Sequence, residues 1–130
     1  MKKKIVVIQS YELFPDPRLS KELSLLTTLD ADVHCIIWKR SGDDGMIGSF
    51  PGVKTHIVDI PSVYGMSVWQ HIGMQRKFRR AVFAKLKFLK PDLIIGQNIE
   101  SVLAALRYRF QTWTPLIYVS REPFHKIMRQ

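Results

Sequence analysis

The chain has 130 residues, of which 46% are hydrophobic and 24% charged. That composition excludes a disordered polypeptide and sets the scale of one globular domain with a real core, small for a complete two-substrate enzyme. Its 20 Lys and Arg against 11 Asp and Glu leave a formal charge of +9, and seven of those basic residues fall between Ile60 and Pro91 with no acidic residue among them.

Lys4 to Gln9 reads as a first strand. The preceding lysines suggest a signal peptide only superficially, because the four apolar residues Ile5 to Ile8 are too few for its hydrophobic segment. Ser10 to Pro17 is a loop ending in Asp16-Pro17. An Asp N-cap followed by Pro at the first helical position is a start signal, since the carboxylate accepts an orphan amide and Pro needs no amide partner. The helix Pro17 to Leu29 puts Leu19, Leu23 and Leu26 on one face. Val33 to Trp38 is a second strand and Val53 to Ile60 a third. Arg40 to Gly52 between them, with four glycines and a proline, is a loop. A helix from about Ser67 to Lys90 leads to a fourth strand at Leu93-Ile94-Ile95, a helix from about Glu100 to Phe110 and a fifth strand over Leu116 to Val119. His125 to Gln130 reads as the opening of a further helix.

Strands alternating with helices predict an α/β domain, a single Rossmann-like unit with a mainly parallel sheet and helices on both faces. The runs Ile5 to Ile8, Ile94-Ile95 and Ile117 to Val119 show no polar alternation and are expected to be central and buried on both sides. Gly96-Gln97-Asn98 and Ser120-Arg121-Glu122 then fall at the carboxyl edge of the sheet, where open α/β folds bind ligands.

Several chemistries are excluded. The first loop, Ser10 to Arg18, contains no glycine, so neither GxGxxG nor GxxxxGK[ST] is present and close approach of backbone to a pyrophosphate is disfavoured. The four histidines are scattered, without HExxH or a cysteine cluster, and no metal or cofactor is expected. His34 and His56 lie on strands, as hydrogen-bonded structural histidines do. No serine has the GxSxG setting of a nucleophile elbow. Cys35, the single cysteine, sits in an apolar run as a buried thiol, which fits a reducing compartment. No segment reaches the roughly 18 residues of a membrane span. The expected location is cytoplasmic, with peripheral contact at the inner membrane face left open.

Four elements occur in order: Asp16-Pro17-Arg18 opening a helix with Lys21-Glu22-Leu23, then Asp32-Val33-His34-Cys35-Ile36, then Lys90-Pro91-Asp92-Leu93-Ile94-Ile95, then Pro115-Leu116-Ile117-Tyr118-Val119-Ser120-Arg121-Glu122. Together they resemble the N-terminal half of family-four, retaining glycosyltransferases of the GT-B fold. The resemblance implies an acceptor-binding domain for a glycan or lipid-linked acceptor, whose partner would be a C-terminal donor-binding domain. That second domain carries the nucleotide sugar and a pair of glutamates in the family and is absent from these residues. The isolated chain is therefore expected to be inactive in transfer. Asp16, Arg18, Gln97, Asn98, Arg121 and Glu122 are the acceptor-binding candidates it implies. The family's histidines after the fourth and fifth strands are replaced here by Gln97 or Asn98 and by Arg121, so no general base stands there. Arg121 is suited to clamping a phosphate or carboxylate, or to an exposed ion pair with Glu122. Asp16 and Glu122 also fit as helix caps.

The basic window resolves on a helical wheel. With about 100° per residue and Phe78 at zero, Ala81, Val82, Leu86, Phe88 and Leu89 gather on one side. Arg76, Arg79, Arg80, Lys87 and Lys90 occupy the other, with Phe83 among them. Arg76, Arg79, Arg80, Phe83 and Lys87 are thus expected to form a cationic strip with an exposed aromatic, the pattern of a helix lying on anionic lipid. A solvated basic face is the simpler alternative. The apolar Val63 to Ile72 beside it suits lipid or acceptor contact. Two other classes stay open: a basic nucleic-acid-binding module, disfavoured by the absence of a stacking platform, and a non-catalytic interaction domain.

Overall fold

The computed structural model describes residues 3–9, 17–39, 51–60 and 67–119, with the side chains of residues 17, 18, 20, 39 and 59 not described. Its elements in chain order are β1 (Lys3–Gln9), α1 (Pro17–Thr28), β2 (Ala31–Lys39), β3 (Val53–Asp59), α2 (Val68–Leu89), β4 (Leu93–Gly96), α3 (Ile99–Thr112) and β5 (Leu116–Tyr118). The sheet is parallel throughout, in the order β3-β2-β1-β4-β5. The chain therefore builds outward from β1 on one side and returns to build outward on the other. That reversal is the topological switch point at which open α/β sheets place their ligand crevice, at the carboxyl ends of β1 and β4.

Burial follows the strand alternation that the sequence hides. Val6 and Ile8 of β1 point into one core with Ile36, Trp38, Phe78, Val82, Leu86 and Ile94, under α2 and α3. Ile5 and Val7 point into the other with Val33, Cys35, Ile37 and the α1 residues Leu19 and Leu23. Helices cover both faces, as the element order predicts. At about 25 cal/mol per Å², each fully buried aliphatic side chain of β1 contributes on the order of 1.5–3 kcal/mol. Trp38 stacks on Phe78 with ring centroids 4.5 Å apart, and its indole N–H donates to the Ile60 carbonyl at 2.8 Å. The largest core side chain thus brings no unsatisfied polar atom inside.

The helix α2 is delimited by its own chemistry. Ser67 and Gln70 form a reciprocal capping box: the Gln70 amide donates to Ser67 Oγ at 3.2 Å and the Ser67 amide to Gln70 Oε1 at 3.0 Å. Lys90 closes the helix at φ 52°, a left-handed residue that is not glycine, and its amide donates to the Leu86 carbonyl. Pro91 then bars continuation. Asp92 ties the entry of β4 to β1: its Oδ2 accepts from the Lys4 amide, its own amide donates to the Lys4 carbonyl, and Lys4 Nζ donates to the Leu89 carbonyl, each at 2.8 Å.

Three expectations about burial change. β5 is the outer strand among the described residues, and Ile117 and Tyr118 are 48% and 39% exposed, so the run Ile117 to Val119 is not central. Its apolar character misleads because composition does not distinguish a strand covered on both faces from one lying at the flank of the sheet. Phe88, placed on the core side by helical angle, is 81% exposed. Phe83, placed among the cations, is half-buried, meeting Tyr108 edge-on with centroids 6.5 Å apart. The cause is shared: α3 packs against one flank of α2, rotating the buried sector toward Phe83 and leaving Phe88 outside it. Phe78→Ala should destabilise the domain by about 3–5 kcal/mol in urea unfolding, whereas Phe88→Ala should stay within about 0.5 kcal/mol of the parent.

Candidate functional site

At the carboxyl ends of β1 and β4 the chain places polar side chains that are buried rather than solvated. Gln9 ends β1 and is buried, as are Gln97 and Asn98 just past β4. The Gln97 amide donates to the Ile8 carbonyl at 3.0 Å, continuing the β1–β4 ladder by one step, and its side-chain Nε2 donates to Glu22 Oε1 of α1 at 2.9 Å. Asn98 is the N-cap of α3. Its Oδ1 accepts from the Ser101 amide at 2.9 Å and from Ser101 Oγ at 2.6 Å. Glu22 is partly exposed, so a carboxylate held by a buried amide opens onto this edge. Its negative charge also acts on the buried thiol of Cys35. Burial first, and that charge second, push Cys35 up to about 12. The cysteine is a protonated core residue, not a nucleophile.

Gly96 has a specific reason to be glycine. A Cβ there would lie 2.7 Å from Val102 Cγ2 and 3.2 Å from the Val102 amide nitrogen, so the first turn of α3 can sit against β4 only because that atom is missing. This contact fixes where Gln97 and Asn98 stand.

Of the acceptor candidates from sequence, Gln97 and Asn98 are brought together at this edge, each with a structural hydrogen bond as well. Arg18 belongs to the first turn of α1 but its side chain is not among the described ones, and Asp16, Arg121 and Glu122 lie outside the described residues. Gln9 and Glu22 escaped the sequence reading. The signal was there for Gln9, a polar residue closing an apolar strand. Glu22 reads as an ordinary helical carboxylate until the fold brings it to Gln97, 75 positions away. Gln9, Gln97 and Asn98 are enclosed at this edge, and Glu22 is the partly exposed polar group of the set.

The cationic strip has a definite geometry. Arg79 and Arg80, each one turn from Arg76, are exposed with it on α2, and the three line, with Arg107 of α3, a groove of about 340 Å³ whose apolar side is formed by Phe83, Leu103 and Ala104. The Arg107 guanidinium lies 4.4 Å from the Phe83 ring centroid and Lys87 Nζ 5.3 Å from it. Val68 and Trp69, in the first turn of α2, and Ile72 in the next are exposed apolar residues.

A third cluster lies on β2 and β3. Asp32 Oδ2 and His34 Nε2 are 3.0 Å apart, and His34 Nδ1 and His56 Nε2 are 2.9 Å apart with the rings stacked. His34 thus meets a carboxylate at one ring nitrogen and the His56 ring at the other. Desolvation, then the charges of His34, Lys85 and Lys54, hold His56 below the ordinary histidine range. The hydrogen bond from His34 is the main cause that lowers Asp32. Among the described residues no three His, Cys, Asp or Glu are grouped to hold a metal ion.

No protein-family model and no curated protein matches the chain. Solved structures do. Two crystal structures of the C-terminal domain of a hydrogenase from Pyrococcus furiosus align with TM-scores of 0.67 and 0.69, at 12% and 11% identity, over 91% and 92% of this chain and 93% of theirs. A candidate UDP-N-acetylglucosamine 2-epimerase from Listeria monocytogenes aligns with a TM-score of 0.60 and 16% identity over 92% of this chain and 31% of its own. These likenesses establish the Rossmann-like fold.

Gly96→Ala should lower stability by about 1–3 kcal/mol by forcing α3 off β4, measurable as a lower urea midpoint. A second outcome concerns pH. Because folded His56 resists protonation and the unfolded residue does not, its contribution is intact above about pH 6.5 and is lost as the pH falls through that value toward the lower folded one. Urea midpoints should decline from pH 7.5 to 5.5, and His56→Gln should flatten the decline.

Proposed function

We propose that the chain is the acceptor-binding half of a GT-B-type sugar transferase, holding a glycan or lipid-linked acceptor while a second Rossmann-like domain, outside these residues, holds the nucleotide sugar. The observation that carries the reading is the β1/β4 crevice. Gln9, Gln97 and Asn98 are buried there, and Glu22, partly exposed, accepts from Gln97, which braces a carboxylate acceptor suited to a sugar hydroxyl. Ser10 to Arg18, which follow β1 in sequence, include no glycine with which to cradle a pyrophosphate. The four ordered sequence elements support the same assignment. So does the likeness to a protein whose name is that of a nucleotide-sugar enzyme, of which this chain spans 31%.

In this reading Gln97 and Asn98 support the acceptor from the β4 side, and Arg18 of α1 contributes together with Asp16, Arg121 and Glu122, which lie outside the described residues. The domain's task is positioning. A retaining transfer needs the acceptor oxygen beside the donor's anomeric carbon, and fixing that geometry supplies much of the rate. Val68, Trp69 and Ile72 offer apolar surface for the hydrocarbon part of a lipid-linked acceptor. No helix among the described residues is long and apolar enough to cross a membrane.

Calorimetry of the isolated chain with UDP-glucose and UDP-N-acetylglucosamine should show no saturable binding. Titration with a panel of oligosaccharides should shift the backbone amides of Gln9, Gly96, Gln97 and Asn98. One-to-one micromolar binding of a nucleotide sugar, or oligosaccharide shifts confined to other parts of the sheet, would sink the assignment.

A further inference from the structure

The basic residues of α2 are sorted by type. The groove between α2 and α3 is lined by Arg76, Arg79, Arg80 and Arg107 and by no lysine; Lys77, Lys85 and Lys90 lie outside that lining, and Lys87 reaches only the Phe83 ring, 5.3 Å from its centroid. A face that merely attracts anions at long range has no use for such sorting, since an ammonium and a guanidinium carry the same charge. A discrete oxyanion site does, because the planar guanidinium fork donates two parallel hydrogen bonds to one phosphate and the ammonium cannot.

Three further observations agree. No carboxylate lines the groove, and among the described residues none of the four arginines forms an ion pair, so their charges are available and mutually repulsive. Arg107 is held over the Phe83 ring at 4.4 Å, which orders its fork before a ligand arrives. The volume of about 340 Å³ is at the small end of ligand sites, and Phe83, Leu103 and Ala104 give it an apolar side.

We propose that this groove is a binding site for a phosphate or diphosphate group, with the first carbons of whatever bears it resting on Phe83 and Leu103. The group could be the headgroup of a lipid or part of a soluble phosphorylated compound; the recognition chemistry is the same. The site lies on the α2/α3 surface rather than in the β1/β4 crevice, and it does not rest on the sugar-transfer reading.

Inorganic pyrophosphate, titrated into the 130-residue chain, is the probe. Calorimetry should give saturable one-to-one binding. Arg80→Gln and Arg107→Gln should each weaken it at least about tenfold, as the loss of a hydrogen bond to a charged group does. Arg107→Lys should weaken it too, since the charge stays and the fork goes. Lys77→Gln, which removes the same charge from the same helix outside the groove, should change it by less than about twofold. Circular dichroism melts confirm that these surface variants fold. Vesicles of phosphatidylcholine with phosphatidic acid distinguish the sources: competition with pyrophosphate supports a lipid headgroup, and its absence supports a soluble ligand. Binding without saturation, equal loss in Lys77→Gln and Arg107→Gln, full affinity in Arg107→Lys, or tighter binding of an oligonucleotide that is indifferent to Arg107→Gln would overturn the proposal.

Discussion

The seam between β1 and β4 is the constraint on which the rest of this domain depends. β1 is the strand from which the sheet grows in both directions, and it is buried from Ile5 to Gln9. Joining β4 to it requires the chain to leave α2, turn and enter in register. Lys90 in the left-handed region, Pro91 and the Asp92–Lys4 contacts make that turn at the amino end of the sheet. Gly96 and the Gln97–Ile8 bond complete it at the carboxyl end. The register so fixed, Ile5 opposite Leu93 through Ile8 opposite Gly96, decides which side chains meet at the crevice.

Stability and site formation are therefore the same problem at this seam. Gln97 and Asn98 are both candidate ligand contacts and structural parts, one bound to Glu22 and the other capping α3. Buried polar groups of this kind are costly unless satisfied, and satisfying them holds the edge in one conformation. The polar link between Gln97 and Glu22 also joins the two helical layers: α1 on one face is tied to the strand that leads into α3 on the other.

The opposite face works by different physics. α2 and α3 meet over aromatic and aliphatic side chains, with Phe83 against Tyr108, and the cations at the border of that contact stand over the half-buried ring. Their hydrophobic stems and the Phe83 face share the burial while the charged heads stay wet. An acid-free stretch of helix becomes a groove only because a second helix supplies the far wall and Arg107.

The sequence by itself determined the α/β class, the alternation of elements, the ends of α2 at Ser67 and Lys90, the leucine face of α1 and the concentration of positive charge. These depend on local rules: capping chemistry, proline and glycine punctuation and hydrophobic period. It also pointed to Gln97 and Asn98, because a polar pair ending an apolar strand is visible within a few residues. Only the tertiary structure decided the rest. Phe83 and Phe88 exchanged their expected places because a helix wheel has one partner surface and α2 has two. Ile117 and Tyr118 proved half-exposed because apolar composition does not say what lies beyond a strand. Glu22 and Arg107 joined Gln97 and Arg80 through contacts between residues far apart in sequence, which no local pattern encodes and which exist only once the sheet order brings their helices together.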